Sequence, residues 1–180
     1  MRQMFVACGA ALMMASGAAM AQAPAPPAGQ VGAVAEVQRS YAGVKENILK
    51  SADKMPAANY SYKPVADIRT YARVLNHISE AQFRSCGAVN GKAEASLPKV
   101  PAETADKAAI VAALKASFKE CDTAFTSLTS GNLQDLFPFG QGRRSRVGLV
   151  WGTVSHDNEQ YATLALYLLL KGIAPPSSEK

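Results

Sequence analysis

Apolar residues recur at helical spacing through four stretches of the chain, with polar residues filling the faces between them. Val34, Val37, Tyr41, Val44, Ile48 and Met55 fall three, four and seven residues apart, and Glu36, Arg39, Lys45, Glu46 and Lys50 lie on the other faces. This spacing predicts a first amphipathic helix over residues 33–55. Pro56 ends it, and Asn59 to Pro64 read as an extended connector, because the residue before a proline is pushed out of the helical region. A second stripe runs through Ile68, Tyr71, Val74, Leu75, Ile78 and Phe83, with Asp67 or Thr70 as its N-cap and Gly87 and Gly91 as its breakers. A third follows Pro98 and Pro101 and comprises Ile110, Leu114, Phe118, Cys121, Phe125 and Leu128. The fourth helix is expected from Arg143 to Lys171, stopped by Gly172 in a left-handed conformation and by Pro175 and Pro176 beyond it. Between the last two helices, Gly131 to Gly142 form an apolar but irregular link whose aromatics cover an end of the core. No segment alternates convincingly enough to be read as a strand, and no internal repeat is visible.

Four amphipathic helices joined by short to medium links predict an all-α, four-helix bundle over residues 33–173, followed by a tail over 174–180. The N-terminal residues are of a different kind. Met1 and Arg2 precede an apolar stretch from Met4 to Met20, and Ala19, Met20 and Ala21 supply a small-x-small cleavage site. Residues 1–21 therefore read as a signal peptide, and the Ala- and Pro-rich residues 22–32 as a tether. The expectation is an exported protein, periplasmic or secreted, with no stable membrane insertion once the signal is removed.

The chain carries 19 basic and 14 acidic residues, a net charge of +5. Arg2 would leave with the signal, and the remaining cations are spread over the predicted helices with no interleaved aromatic pattern, which argues against a nucleic-acid partner. Cys86 and Cys121 would survive cleavage, and an oxidising compartment makes them a disulfide candidate that would pin the second helix to the third. Two separately buried thiols are the alternative.

The run His156, Asp157, Asn158, Glu159, Gln160, Tyr161 lies inside the fourth helical pattern. Residues four apart share a helix face, so His156 and Gln160 can point at one spot with Glu159 close beside them. His77, the other histidine, lies on the second helix, and two histidines from facing helices can hold a divalent cation. A buried histidine held by one hydrogen bond to a neighbouring helix is the competing reading of His77.

Several pieces together carry a resemblance: Tyr60 to Pro64, His77 with Ile78, His156 to Tyr161, and the closing run from Tyr167 through Lys171, Gly172, Ile173, Pro175 and Pro176 to Ser178. In these the chain resembles the DinB-like superfamily, and in particular its exported members. The resemblance implies a four-helix bundle with one divalent ion (zinc, nickel or manganese) held by three histidines, one on the second helix and two spaced four apart on the last. His77 and His156 match two of these positions, and Gln160 stands where the third histidine would be. Its amide oxygen, or Glu159 in its place, would have to complete a weaker site, so the resemblance leaves open whether the ion is retained. It further implies metal-dependent hydrolysis or thiol transfer on an unknown small molecule, with Tyr161, Tyr167 and Glu159 as candidate acid–base groups, and a homodimer. The alternative is a non-catalytic small-molecule-binding or envelope-stress module that has lost the metal.

Overall fold

The structure, a computed structural model, describes residues 32–179. The expected signal peptide and all but the last residue of the expected tether lie outside the described residues.

Four helices form: α1 (Ala33–Lys54), α2 (Tyr71–Val89), α3 (Lys107–Thr126) and α4 (Arg146–Leu170). Three of them begin at a side-chain cap that satisfies an otherwise orphaned amide. Thr70 accepts from the Arg73 amide, Asp106 from Ala109 and Ser145 from Gly148. The second helix thus starts at Thr70, and Ile68, which the apolar stripe had placed on it, sits exposed in the connector. Gly172, at φ +71°, makes the expected left-handed stop after α4, and Gly91, at φ +76°, does the same after α2. Gly87 does not break α2 as expected. It lies inside the helix, where a Cβ would come 2.6 Å from Leu97 Cδ2, so its role is to let the following loop pass close by.

Cross-helix contacts fix the topology. Tyr41 on α1 bonds Asp122 and the Phe118 carbonyl on α3, while Lys107 at the start of α3 bonds the carbonyls of Asp53 and Met55, so α1 and α3 run antiparallel. Gln82 meets Ser117 and Cys86 meets Cys121, in rising order on both helices, so α2 and α3 run parallel, joined by a crossover through residues 90–106. Tyr71 lies near Tyr167 and Ser85 near Thr153, which makes α2 and α4 antiparallel. The predicted stripes meet in one core: Tyr41, Val44, Ile48, Leu75, Ile78, Leu114, Phe118, Val154, Leu164 and Leu168 are all buried there.

One element was not anticipated. Leu136–Phe139 (β1) and Gly142–Ser145 (β2) pair antiparallel through a turn at Gly140, which has φ +59°. The strands are four residues long and contain a proline, too short to show alternation, and the Ser145 cap keeps Arg143 and Arg144 off α4, where the sequence pattern had put them. Cation–ring contacts hold the hairpin to the bundle, with the Arg84 guanidinium 4.6 Å from the Phe139 centroid and that of Arg146 4.7 Å from Phe137.

Cys86 and Cys121 form a disulfide across the α2–α3 interface, with Cα atoms 5.0 Å apart and a sequence separation of 35. On a chain-entropy account, a loop of that length stabilises the fold by about 4 kcal/mol. Reduction should therefore lower the melting temperature by roughly 10 °C. Differential scanning fluorimetry with and without reductant tests this, and two thiols free to label in the unfolded, unreduced protein would show that the bridge does not form.

Candidate functional site

His77 lies half-buried on α2, one turn after Val74, and His156 occupies the facing turn of α4. Their rings meet edge to face, with centroids 4.9 Å apart and Nε2 atoms 3.0 Å apart. Two bare lone pairs would repel at that distance, so the pair either shares one proton or both nitrogens face a cation. Burial, helped by the nearby charges of Arg69, His156 and Arg73 and opposed by Glu80, holds the His77 pKa below the ordinary value, and this lowering favours the neutral ring that ligation requires.

Behind the pair stands Asp157, whose side chain is 0% exposed. Its Oδ1 lies 3.5 Å from His156 Nδ1, and neither atom has a hydrogen-bond partner. Its Oδ2 accepts from Gln82 Nε2 at 2.8 Å, and Gln82 Oε1 in turn accepts from Ser117 Oγ at 2.7 Å. Burial raises the Asp157 pKa, while the contacts with His156 and Gln82 act the other way. A carboxylate facing Nδ1 favours the tautomer with hydrogen on Nδ1, which leaves the Nε2 lone pair directed at His77.

Asp157, Gln82 and Ser117 were missed as functional residues, although a signal was present. Each is the polar exception in an apolar stripe: Asp157 among Val150, Val154, Tyr161 and Leu164, Gln82 between Leu75 and Cys86, and Ser117 between Leu114 and Cys121. The remaining candidates are placed differently. Gln160 is buried and Glu159 exposed, and both line a shallow neighbouring cleft with Asp67, Arg69 and Tyr167. Two candidate acid–base groups have structural partners: the Tyr161 hydroxyl bonds Ser177, tying down the C-terminal tail, and that of Tyr167 donates to the Arg69 carbonyl.

With this geometry in view, residues 40–164 match the DinB superfamily, more than half of the chain. The chain belongs to that superfamily. No curated protein matches it. Among solved structures, a DinB-like protein from Bacillus cereus is similar at a TM-score of 0.62 and 14% identity, covering 78% of this chain and 93% of that one. A DinB-like protein from Bacillus subtilis gives 0.62 at 13% identity, covering 76% and 92%. A mycothiol-dependent maleylpyruvate isomerase gives 0.59 at 9% identity, covering 73% of this chain and 60% of that one. At such identities the likeness establishes the bundle fold alone.

The donor set at this DinB seam fits a divalent ion at two positions. Nitrogens 3.0 Å apart subtend roughly 90° at an ion about 2.1 Å from each. Among the described residues no three His, Cys, Asp or Glu side chains converge on one point, so further coordination would fall to the neutral amide of Gln160 or to water.

The buried relay makes its own prediction. Gln82→Leu keeps the volume but leaves the buried Asp157 carboxylate without its donor, while the Ser117 hydroxyl retains the Leu114 carbonyl at 2.9 Å, at a cost of about 3 kcal/mol. Urea denaturation measures this, and a loss below about 1 kcal/mol would mean that the relay carries no structural weight.

Proposed function

We propose that this DinB-superfamily chain is an exported, divalent-metal-binding bundle acting on a small molecule, with His77 and His156 as the two nitrogen ligands and Gln160 as a weak third. The observation that carries the reading is the 3.0 Å convergence of the two Nε2 atoms, with a wholly buried carboxylate facing Nδ1 of one ring. A carboxylate behind a histidine is the usual support for a ligating imidazole, fixing its tautomer and raising its basicity. When bound, such an ion supplies Lewis acidity, suited to hydrolysis or to thiol transfer. Its neighbour in fold, the mycothiol-dependent isomerase, supports thiol chemistry by analogy. His156 would hold the ion, Asp157 would orient His156, and Gln82 would hold Asp157. The Cys86–Cys121 disulfide supports an oxidising compartment.

A second reading is a binding module without metal, in which the imidazoles share an N–H···N hydrogen bond at the same 3.0 Å. Glutamine at position 160 favours it, because the amide is a far weaker donor to transition metals than imidazole.

Elemental analysis of the untagged chain, saturated with zinc, nickel or manganese and then dialysed, separates the two readings. The metal reading expects about one equivalent in wild type and loss of uptake in His156→Ala. Asp157→Asn should weaken affinity about tenfold with little change in melting temperature, because an asparagine can still accept from Gln82. Gln160→His should tighten binding. Uptake by Gln160→His alone would decide for the module without metal.

A further inference from the structure

Beside His156 a cleft of about 240 Å³ opens between α2, the hairpin and the first half of α4. Leu149 contributes apolar surface, as do Ser85 and Thr153 hydroxyl surface, their oxygens bonded to each other at 2.8 Å. Two guanidinium groups line it, Arg84 from α2 and Arg144 from β2, with their central carbons 4.6 and 5.8 Å from the Phe139 centroid. Neither is neutralised within the cleft, since no carboxylate lines it. Arg84 pairs through its Nε with Glu94 outside, at 3.0 Å, and Arg144 donates one N–H to the Gly148 carbonyl at 3.3 Å. Two positive charges beside an aromatic ring and an apolar wall, with no acid between them, attract a small anion that has an apolar body. The planar donors of guanidinium match the two oxygens of a carboxylate.

We propose that this cleft binds a small organic carboxylate, its charged end held by Arg84 and Arg144, its body lying on Phe139 and Leu149, and its far end reaching the face of His156. The inference names the substrate class of the site read above, and it rests on that reading for the role of the histidine pair.

Titration with benzoate, and with benzamide as its uncharged counterpart, tests the proposal by calorimetry and amide NMR. Benzoate should bind saturably, shift the resonances of Phe139, Gly152 and His156, and bind at least about tenfold more tightly than benzamide. Arg144→Gln should weaken benzoate about tenfold through loss of a charge-assisted contact. Gly152→Leu is the second variant: a Cβ at Gly152 meets nothing closer than Arg144 Nη2 at 3.9 Å, and leucine favours the helix, so the fold should hold while the cleft is filled and benzoate excluded. Equal affinity for benzoate and benzamide, or benzoate binding unchanged in both variants, would overturn the proposal. Metal content measured on the same samples distinguishes the two readings. Arg144→Gln should keep the wild-type amount. A chain that takes up no metal yet binds benzoate through Arg144 would sink the metal reading and leave the carboxylate site standing.

Discussion

A carboxylate wholly removed from water, with one amide donor and a histidine edge for company, is the constraint around which this bundle is arranged. Asp157 sits at a position that the helical repeat of α4 reserves for the core. Burying a charge costs several kcal/mol unless its lone pairs are satisfied. Gln82 on α2 supplies the donor, and Ser117 on α3 fixes the Gln82 amide with its oxygen toward the hydroxyl and its nitrogen toward the acid. One polar residue from each of three helices thus meets in the interior. Shifting any of those helices by a turn would leave an unpaired polar group, so the relay specifies one registry for the bundle as well as an orientation for His156.

The disulfide belongs to the same arrangement. Cys86 follows Gln82 by one turn of α2 and Cys121 follows Ser117 by one turn of α3, so the covalent bridge lies directly beyond the hydrogen bond along a parallel helix pair. Parallel helices need a long return connection, and the α2–α3 crossover passes over Gly87, where Leu97 packs against the helix backbone. Bridge and relay together hold α2 and α3 as a platform. Against that platform α4 presents His156 and Asp157, and the hairpin presents Arg144 and Phe139.

What the sequence made legible follows from how far apart the deciding residues lie. The four helices are visible because their apolar stripes are local and periodic, and the His77–His156 meeting follows from two helices facing inward. Asp157 was legible in principle, since an acid in the stripe of Val150, Val154, Tyr161 and Leu164 contradicts the pattern around it, and such contradictions gather at functional sites. The start of α4 was not, because Arg143 and Arg144 suit a helix as well as a strand until the Ser145 cap and the Gly140 turn are seen together. The Arg84–Phe139–Arg144 cluster was beyond reach, since it joins a helix to a hairpin that the pattern did not predict.

The pairing of Asp157 with His156 bears on the meaning of Gln160. A glutamine in place of a third imidazole removes a strong ligand, and a bundle with no further use for an ion would gain stability by making position 157 apolar together with Gln82 and Ser117. Instead the chain keeps a costly acid whose free oxygen faces nothing but His156 Nδ1. Structural registry accounts for the oxygen bonded to Gln82. It does not account for the one turned toward the histidine, where the ionised acid favours hydrogen on Nδ1 and a lone pair on Nε2. That effect matters only if Nε2 receives something, whether a cation shared with His77 or the N–H of the His77 ring 3.0 Å away. Asp157 thus holds the pair ready for either partner, beside a cleft proposed to grip an organic carboxylate by Arg84 and Arg144 and to turn the far end of that ligand toward His156.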